Sequence, residues 1–291
     1  MTKPKIFNLL LFLTLSLCHS TVFAQTERLD SVMINGHMRR FKMVLPTTLK
    51  ADAPMVMVLH GYSSSYLKKR TYMDKAAEAH GFALCVPDGL KDPAGKRSWN
   101  VGYPKQEGWK MDDVQTVCRL AAHVQKKYHL SRANTFLTGM SNGGEMCYLL
   151  AYRNQTTFRA LASISGLTLM WMYKELKPTR AVPFMEVHGT EDRTSEWTGD
   201  LANRGGWGAY LPVPTAVNAI VALNRCTHEE VTRMESRTPA NGRSVVLHRF
   251  PDGDSGCEVW LYEVVGGKHS WHDADIDTGE EVWRFFSKYL K

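Results

Sequence analysis

Thr135-Phe136-Leu137-Thr138-Gly139-Met140-Ser141-Asn142-Gly143-Gly144 places one serine between two glycines, directly after a short apolar run and directly before a helix-compatible stretch. This is the G-x-S-x-G pattern of a nucleophile elbow. A serine on a tight strand-to-helix turn has strained dihedrals, and neighbours without side chains let strand and helix approach while Oγ stays exposed. The chemistry that follows is acyl transfer. The same turn aims the Asn142 N–H, at the start of the next helix, toward the place where an oxyanion would form. The bare pattern also occurs in ordinary glycine turns, so the rest of the chain has to supply the partners.

Those partners are set by the chemistry: a general base, a carboxylate that orients it, and a second oxyanion donor. In the α/β-hydrolase order, the acid and then the histidine follow the serine on loops after later strands. Val182 to Asp192 reads as a buried strand running into a loop, and Asp192 is the preferred acid, one step round an H-G-T-x-D turn. Glu191 and Glu186 compete; Glu186 falls mid-strand and reads most simply as a paired core or edge carboxylate. Val259 to Val265 reads as another strand, followed by Gly266-Gly267-Lys268-His269, and His269 is the preferred base among eleven histidines. His272 is its rival. The second oxyanion donor is expected from Tyr62, after the apolar run Ala53 to Leu59 and the pair His60-Gly61.

With these residues in place, L-H-G, G-M-S-N-G-G, V-H-G-T-x-D and G-G-x-H-x-W in that order resemble the secreted esterases of carbohydrate esterase family 1. That family comprises feruloyl esterases, acetyl xylan esterases and the related poly(3-hydroxybutyrate) depolymerases. The resemblance runs from about Lys42 to the C-terminus. It implies an α/β-hydrolase fold, the triad Ser141, Asp192 and His269, and a counterpart of the family's tryptophan-asparagine pair in Trp99-Asn100. The stretch Thr194 to Pro214 departs from a minimal member, being longer and carrying Trp197, Trp207 and Tyr210.

Lys3 and Lys5 precede an almost wholly apolar run from Ile6 to Leu17, and Val22-Phe23-Ala24 then offers small residues at cleavage positions. This predicts a signal peptide over residues 1–24, a secreted or periplasmic location, and a single catalytic domain over 25–291 with no membrane span. Leu17 stands where a lipoprotein signal wants a small residue, which argues against an anchor on Cys18. Of six cysteines, loss of Cys18 leaves an odd number. Cys85, Cys118 and Cys147 read as buried thiols, and a Cys226–Cys257 disulfide is expected to tether the histidine-bearing strand to the helix before it. The net charge of +7 is too diffuse to argue for nucleic acid. Neither a metal motif nor a cofactor motif stands out; Asp252 and Asp254 beside Gly253 read as a glycine turn.

Asp30 to Pro46 reads as a β-hairpin turning at Asn35-Gly36. Beyond it, strands near 55–60, 82–87, 134–139, 159–164, 182–188 and 258–265 alternate with helices near 71–80, 113–128, 142–153, 214–225 and 279–290. Such alternation means a mostly parallel sheet with helices on both faces and ligands at the carboxyl ends of its strands. Loops on that face carry Trp99, Trp109, Trp171, Trp197, Trp207 and Trp271. Five of them (Trp99, Trp171, Trp197, Trp207 and Trp271) are candidate substrate-binding residues, since flat aromatic faces suit sugar rings or a phenolic acyl group. Met170-Trp171-Met172 is a candidate wall of an apolar acyl pocket. The expected substrate is a feruloyl or acetyl ester on xylan, with poly(3-hydroxybutyrate) or short-chain esters as the alternative. A serine peptidase, which would call for an added propeller or cap, and a non-catalytic carbohydrate-binding protein are the readings from other classes.

Overall fold

The chain turns back on itself first at Asn35-Gly36. Both residues have positive φ (52° and 77°), as the two central positions of a primed hairpin turn require. The turn joins β1 (Thr26–Ile34) to β2 (His37–Leu45), with Ile34 paired to His37 as expected. The computed structural model describes residues 25–238 and 242–291. The expected leader peptide lies outside them.

β3 (Met55–Leu59), α1 (Asp74–His80) and β4 (Ala83–Pro87) follow, then the short pair β5 (Leu90–Lys91) and β6 (Arg97–Ser98). After them come α2 (Asp113–Tyr128), β7 (Thr135–Met140), α3 (Asn142–Tyr152), β8 (Leu161–Ile164), α4 (Met170–Glu175) and β9 (Phe184–Gly189). The chain ends with α5 (Val213–Asn224), β10 (Glu230–Glu235), β11 (Ser244–Phe250), β12 (Val259–Val265) and α6 (Thr278–Ser287). Among the described residues, ten strands form one sheet in the order β1-β2-β4-β3-β7-β8-β9-β12-β11-β10. The six from β4 to β12 run parallel, which brings the carboxyl ends of β7, β9 and β12 to one edge. This is the α/β-hydrolase architecture that the sequence leads one to expect.

The central strands are buried on both faces, which is why they read as unbroken apolar runs. Alternate residues then feed two cores. Met55 and Met57 pack toward α2 and α3 with Leu120, Val124 and Leu150. Val56 and Val58 point to the other side, toward Trp283 and Phe286 of α6. Phe286 stacks on Phe136 at 4.9 Å and Trp283 on Phe82 at 4.1 Å, so the amphipathic last helix covers the sheet as its pattern requires. Asp112 caps α2 by accepting from the Gln115 N–H. No helix among the described residues is long and apolar enough to cross a membrane.

The antiparallel pairs β5–β6 and β10–β11 and the helix α4 were not among the expected elements. β10 is exposed along nearly its whole length and carries charge on both faces, so no apolar alternation marks it. One expectation is overturned. The Cys226–Cys257 bridge is not formed: both thiols are free, and Cys226 Sγ faces the Cys257 carbonyl oxygen at 3.7 Å instead of its sulfur. Gly253 fills the gap between the two segments, where an added Cβ would stand 2.9 Å from that sulfur.

Candidate active site

Ser141 lies between the end of β7 and the first residue of α3 with φ 54° and ψ −122°. A side-chain-bearing residue in that region costs about 1–3 kcal/mol and persists only where its surroundings dictate it. Here the glycines do so. A Cβ on Gly143 would stand 2.5 Å from the Leu59 carbonyl oxygen, and one on Gly139 would stand 2.5 Å from the Gly143 backbone. α3 therefore leaves the sheet at a sharp angle that only unsubstituted positions permit, and the elbow is present as read.

The loop after β3 lies against this serine. A Cβ added to Gly61 would be 3.2 Å from Ser141 Cβ. His60 holds the loop in a defined orientation. Its Nε2 accepts from the Gly89 N–H at 2.9 Å, so the ring proton sits on Nδ1 and donates to the Gly61 carbonyl oxygen at 2.7 Å. In a trans peptide the C=O and N–H point opposite ways, so anchoring Gly61 O on the imidazole turns the Tyr62 N–H to the other face. His60 is wholly buried, and burial pushes its pKa below the ordinary histidine value, which keeps it neutral in this role. The Asn142 N–H stands at the positive end of α3. Its side chain clamps Trp99, accepting from the Trp99 N–H at 2.7 Å and donating to the Trp99 carbonyl at 3.1 Å.

Asp192 and His269 meet at the ends of β9 and β12, neighbours in the sheet. His269 Nδ1 bonds Asp192 Oδ2 at 2.7 Å, while Asp192 Oδ1 accepts the Thr194 and Ser195 N–H groups at 2.8 Å each. Burial alone would raise the Asp192 pKa, but the bond and charge of His269, with His188 and the Ser195 N–H, hold it below the usual carboxylate value. The two loops are locked together: Glu191 N–H donates to Gly267 O at 2.9 Å, and Gly266 N–H to Thr190 Oγ1 at 2.9 Å. Hydrogen-bond geometry leaves one link open, since no bond within 3.5 Å joins Ser141 Oγ to His269. Such links commonly tighten only when substrate is bound.

The rivals fall elsewhere. His272 is buried, its Nε2 sits 3.4 Å from Ser165 Oγ, and burial pushes its pKa down to about 4. Glu191 is exposed. Of the core and edge readings of Glu186, the structure gives the core one, bonded through Oε1 to His188 Nδ1 at 2.9 Å.

The tryptophans separate. Trp99 is only 1% exposed and donates its indole N–H to the His60 carbonyl, so the expectation that it binds substrate is corrected: it braces the loop after β3 from within. Trp271 is half-buried against Tyr66 and Tyr72, and Trp197 against His188. Trp207 packs edge-on against Tyr62 at 5.3 Å and on Tyr103, with Lys105 Nζ 3.4 Å from its ring centre. Trp171 donates to the Val101 carbonyl. With Met170, Tyr103, Pro104, Leu169 and Gly208 it lines a cavity of about 400 Å³. His60, Tyr103, Lys105 and His188 were not foreseen. Glu186 and His188 share a strand face at i and i+2, the one available sign that they act together.

Comparison with known proteins places the chain in a family. A family profile described as "Putative esterase" matches residues 31–207. The chain is 24% identical over 256 residues to a bifunctional acetylxylan esterase/xylanase of Neocallimastix patriciarum, covering 87% of this chain and 34% of that protein. It is 24% identical over 263 residues to feruloyl esterase B of Piromyces equi, covering 86% of this chain and 45% of that one. The chain thus spans between a third and a half of the length of these two relatives. Among solved structures, the acetyl xylan esterase from Aspergillus awamori superposes with a TM-score of 0.60 at 14% identity, over 90% of this chain and all of that one.

Proposed function

Because the chain belongs to this esterase family, we propose that it hydrolyses carboxylic esters through Ser141, His269 and Asp192. The observation that carries the reading is the 2.7 Å Asp192–His269 bond after β9 and β12, at the same edge of the parallel sheet as β7, which ends at a serine with φ 54°. His269 takes the Ser141 proton as Oγ attacks the ester carbonyl carbon, and Asp192 steadies the resulting imidazolium. The Tyr62 and Asn142 N–H groups receive the tetrahedral oxyanion. Collapse expels the alcohol with the proton from His269. Water, deprotonated by the same histidine, then releases the acid and restores the serine.

For substrate we propose a feruloyl or acetyl ester borne on xylan, met outside the cytoplasm after the leader over residues 1–24 is removed. Support comes from the names of the two relatives and from the partly exposed rings of Trp171 and Trp207 beside the cavity. A panel of methyl ferulate, acetylated xylan, poly(3-hydroxybutyrate) and 4-nitrophenyl acetate tests it. The expected order puts the first two ahead in kcat/KM. Release of 3-hydroxybutyrate as the fastest reaction would replace this substrate with the polyester.

The Tyr62 assignment has its own test in His60→Ala, which frees the Gly61 carbonyl and lets the Tyr62 N–H drift. The expected loss is about 10²–10³ in kcat with KM little changed, the size associated with one oxyanion donor. A kcat within a few-fold of the parent enzyme would show that the donor is held without the imidazole.

A further inference from the structure

Behind Asp192 lies a second, fully buried ionisable pair that the reaction as written does not use. His188 and Glu186 are both 0% exposed. His188 Nε2 is 2.7 Å from the Ser195 carbonyl oxygen, an acceptor only, so Nε2 carries a proton. Its Nδ1 faces Glu186 Oε1 at 2.9 Å, with a single proton between them. The other carboxyl oxygen, Oε2, is buried without a hydrogen-bond partner, an arrangement a free carboxylate would not tolerate alone. On the far side, His188 Nε2 stands 3.7 Å from Asp192 Oδ2, the oxygen that holds His269.

We propose that His188, backed by Glu186, is a positioning residue that sets both the place and the effective charge of Asp192. This rests on the catalytic reading of Ser141, Asp192 and His269 given above. The placing is mechanical: the imidazole holds the Ser195 carbonyl while the Ser195 N–H holds Asp192 Oδ1. The charge acts through space, because the N–H end of the Glu186–His188 pair faces the carboxylate in a medium where water does not screen it. Burial alone would lower the His188 pKa, but the bond and charge of Glu186, with Asp192, more than offset that and leave it raised.

Other ionisable groups facing the pair are accounted for. Glu145, Cys147 and Tyr148 of α3 approach Glu186 from one side, with Ser163 paired to it on β8. Burial raises Glu145 to about 8 and raises Cys147 and Tyr148 as well, so near neutral pH none of the three places a full negative charge there. His272 and His269 lie on the Asp192 side, and the lowered pKa of His272 keeps it neutral.

The test is the acidic limb of the kcat/KM profile on 4-nitrophenyl acetate, which reports protonation of the base in the free enzyme. His188→Gln keeps an N–H for Ser195 O but removes the positive end. Asp192 then confronts His269 with its charge less offset, and the limb should move to higher pH by about half a unit or more, the alkaline plateau falling less than about tenfold. Glu186→Gln leaves His188 buried without a counter-charge, so the imidazole sheds its proton and the limb moves the same way. Limbs that coincide with the parent's in both variants, or that move to lower pH, overturn the proposal and leave the pair a structural one.

A second measurement does not depend on turnover. In the Ser141→Ala protein, ¹⁵N resonances of the His269 ring followed against pH should titrate at higher pH once His188→Gln is added. Coincident titrations overturn the coupling. Esterase activity surviving in Ser141→Ala would overturn the catalytic reading instead, and the two failures are thereby told apart.

Discussion

Ser141→Ala is expected to lower kcat on 4-nitrophenyl acetate by about 10⁴-fold or more while leaving the unfolding midpoint close to that of the parent protein. The asymmetry follows from the geometry. Alanine removes Oγ, the atom proposed to form the acyl-enzyme, but it retains a Cβ at φ 54°, so the backbone strain of the elbow is unchanged. What activity remains belongs to the Tyr62 and Asn142 N–H groups acting on attack by water. Steady-state kinetics with a thermal melt on the same preparation decides the matter, and labelling of the parent enzyme by a fluorophosphonate should map to Ser141 alone. A variant that keeps a tenth of parental activity would move the nucleophile elsewhere.

Asp192→Asn should be nearly as severe, about 10⁴-fold in kcat, although it changes no shape. Asparagine can still accept the Thr194 and Ser195 N–H groups through its carbonyl, which places its amide nitrogen where Oδ2 meets His269 Nδ1. An amide donates there. It forces the imidazole proton onto Nε2, the nitrogen that has to accept from serine, and it offers no charge to the imidazolium that forms. Glu191→Gln, at the residue immediately before Asp192 but exposed, should cost little. If the two variants lost activity equally, the carboxylate would be working through the loop's conformation, not through His269.

How much of this was readable in the chain depends on whether the signal was local. The elbow, the hairpin turn at Asn35-Gly36 and the buried strands β3, β7, β9 and β12 announce themselves, because backbone strain and double-sided burial constrain the residues within a few positions. Asp192 and His269 were legible for a related reason: each lies on the loop just after a strand, at the sheet edge where a parallel topology puts chemistry. β10 was not, since an exposed edge strand imposes no pattern. Trp99 and the two cysteines misled because composition and spacing reveal neither depth nor direction. An indole 1% exposed and a sulfur facing a carbonyl look the same in sequence as a stacking platform and a disulfide.

The amino-acid sequence by itself determined the fold class and the strained turn at Ser141, since each is written in glycines, apolar runs and a turn whose steric demands are satisfied by few residues. Only the tertiary structure decided which histidine is on the acid. His269 and His272 stand three positions apart, yet one bonds Asp192 at 2.7 Å and the other is buried beside Ser165. It also decided the tautomer of His60, the inward turn of Trp99 and the Glu186–His188 pair behind Asp192. Apart from Glu186 and His188, two residues apart on β9, these are contacts between segments tens of residues apart, and their energies depend on burial and on distances of a few ångströms that no local pattern encodes.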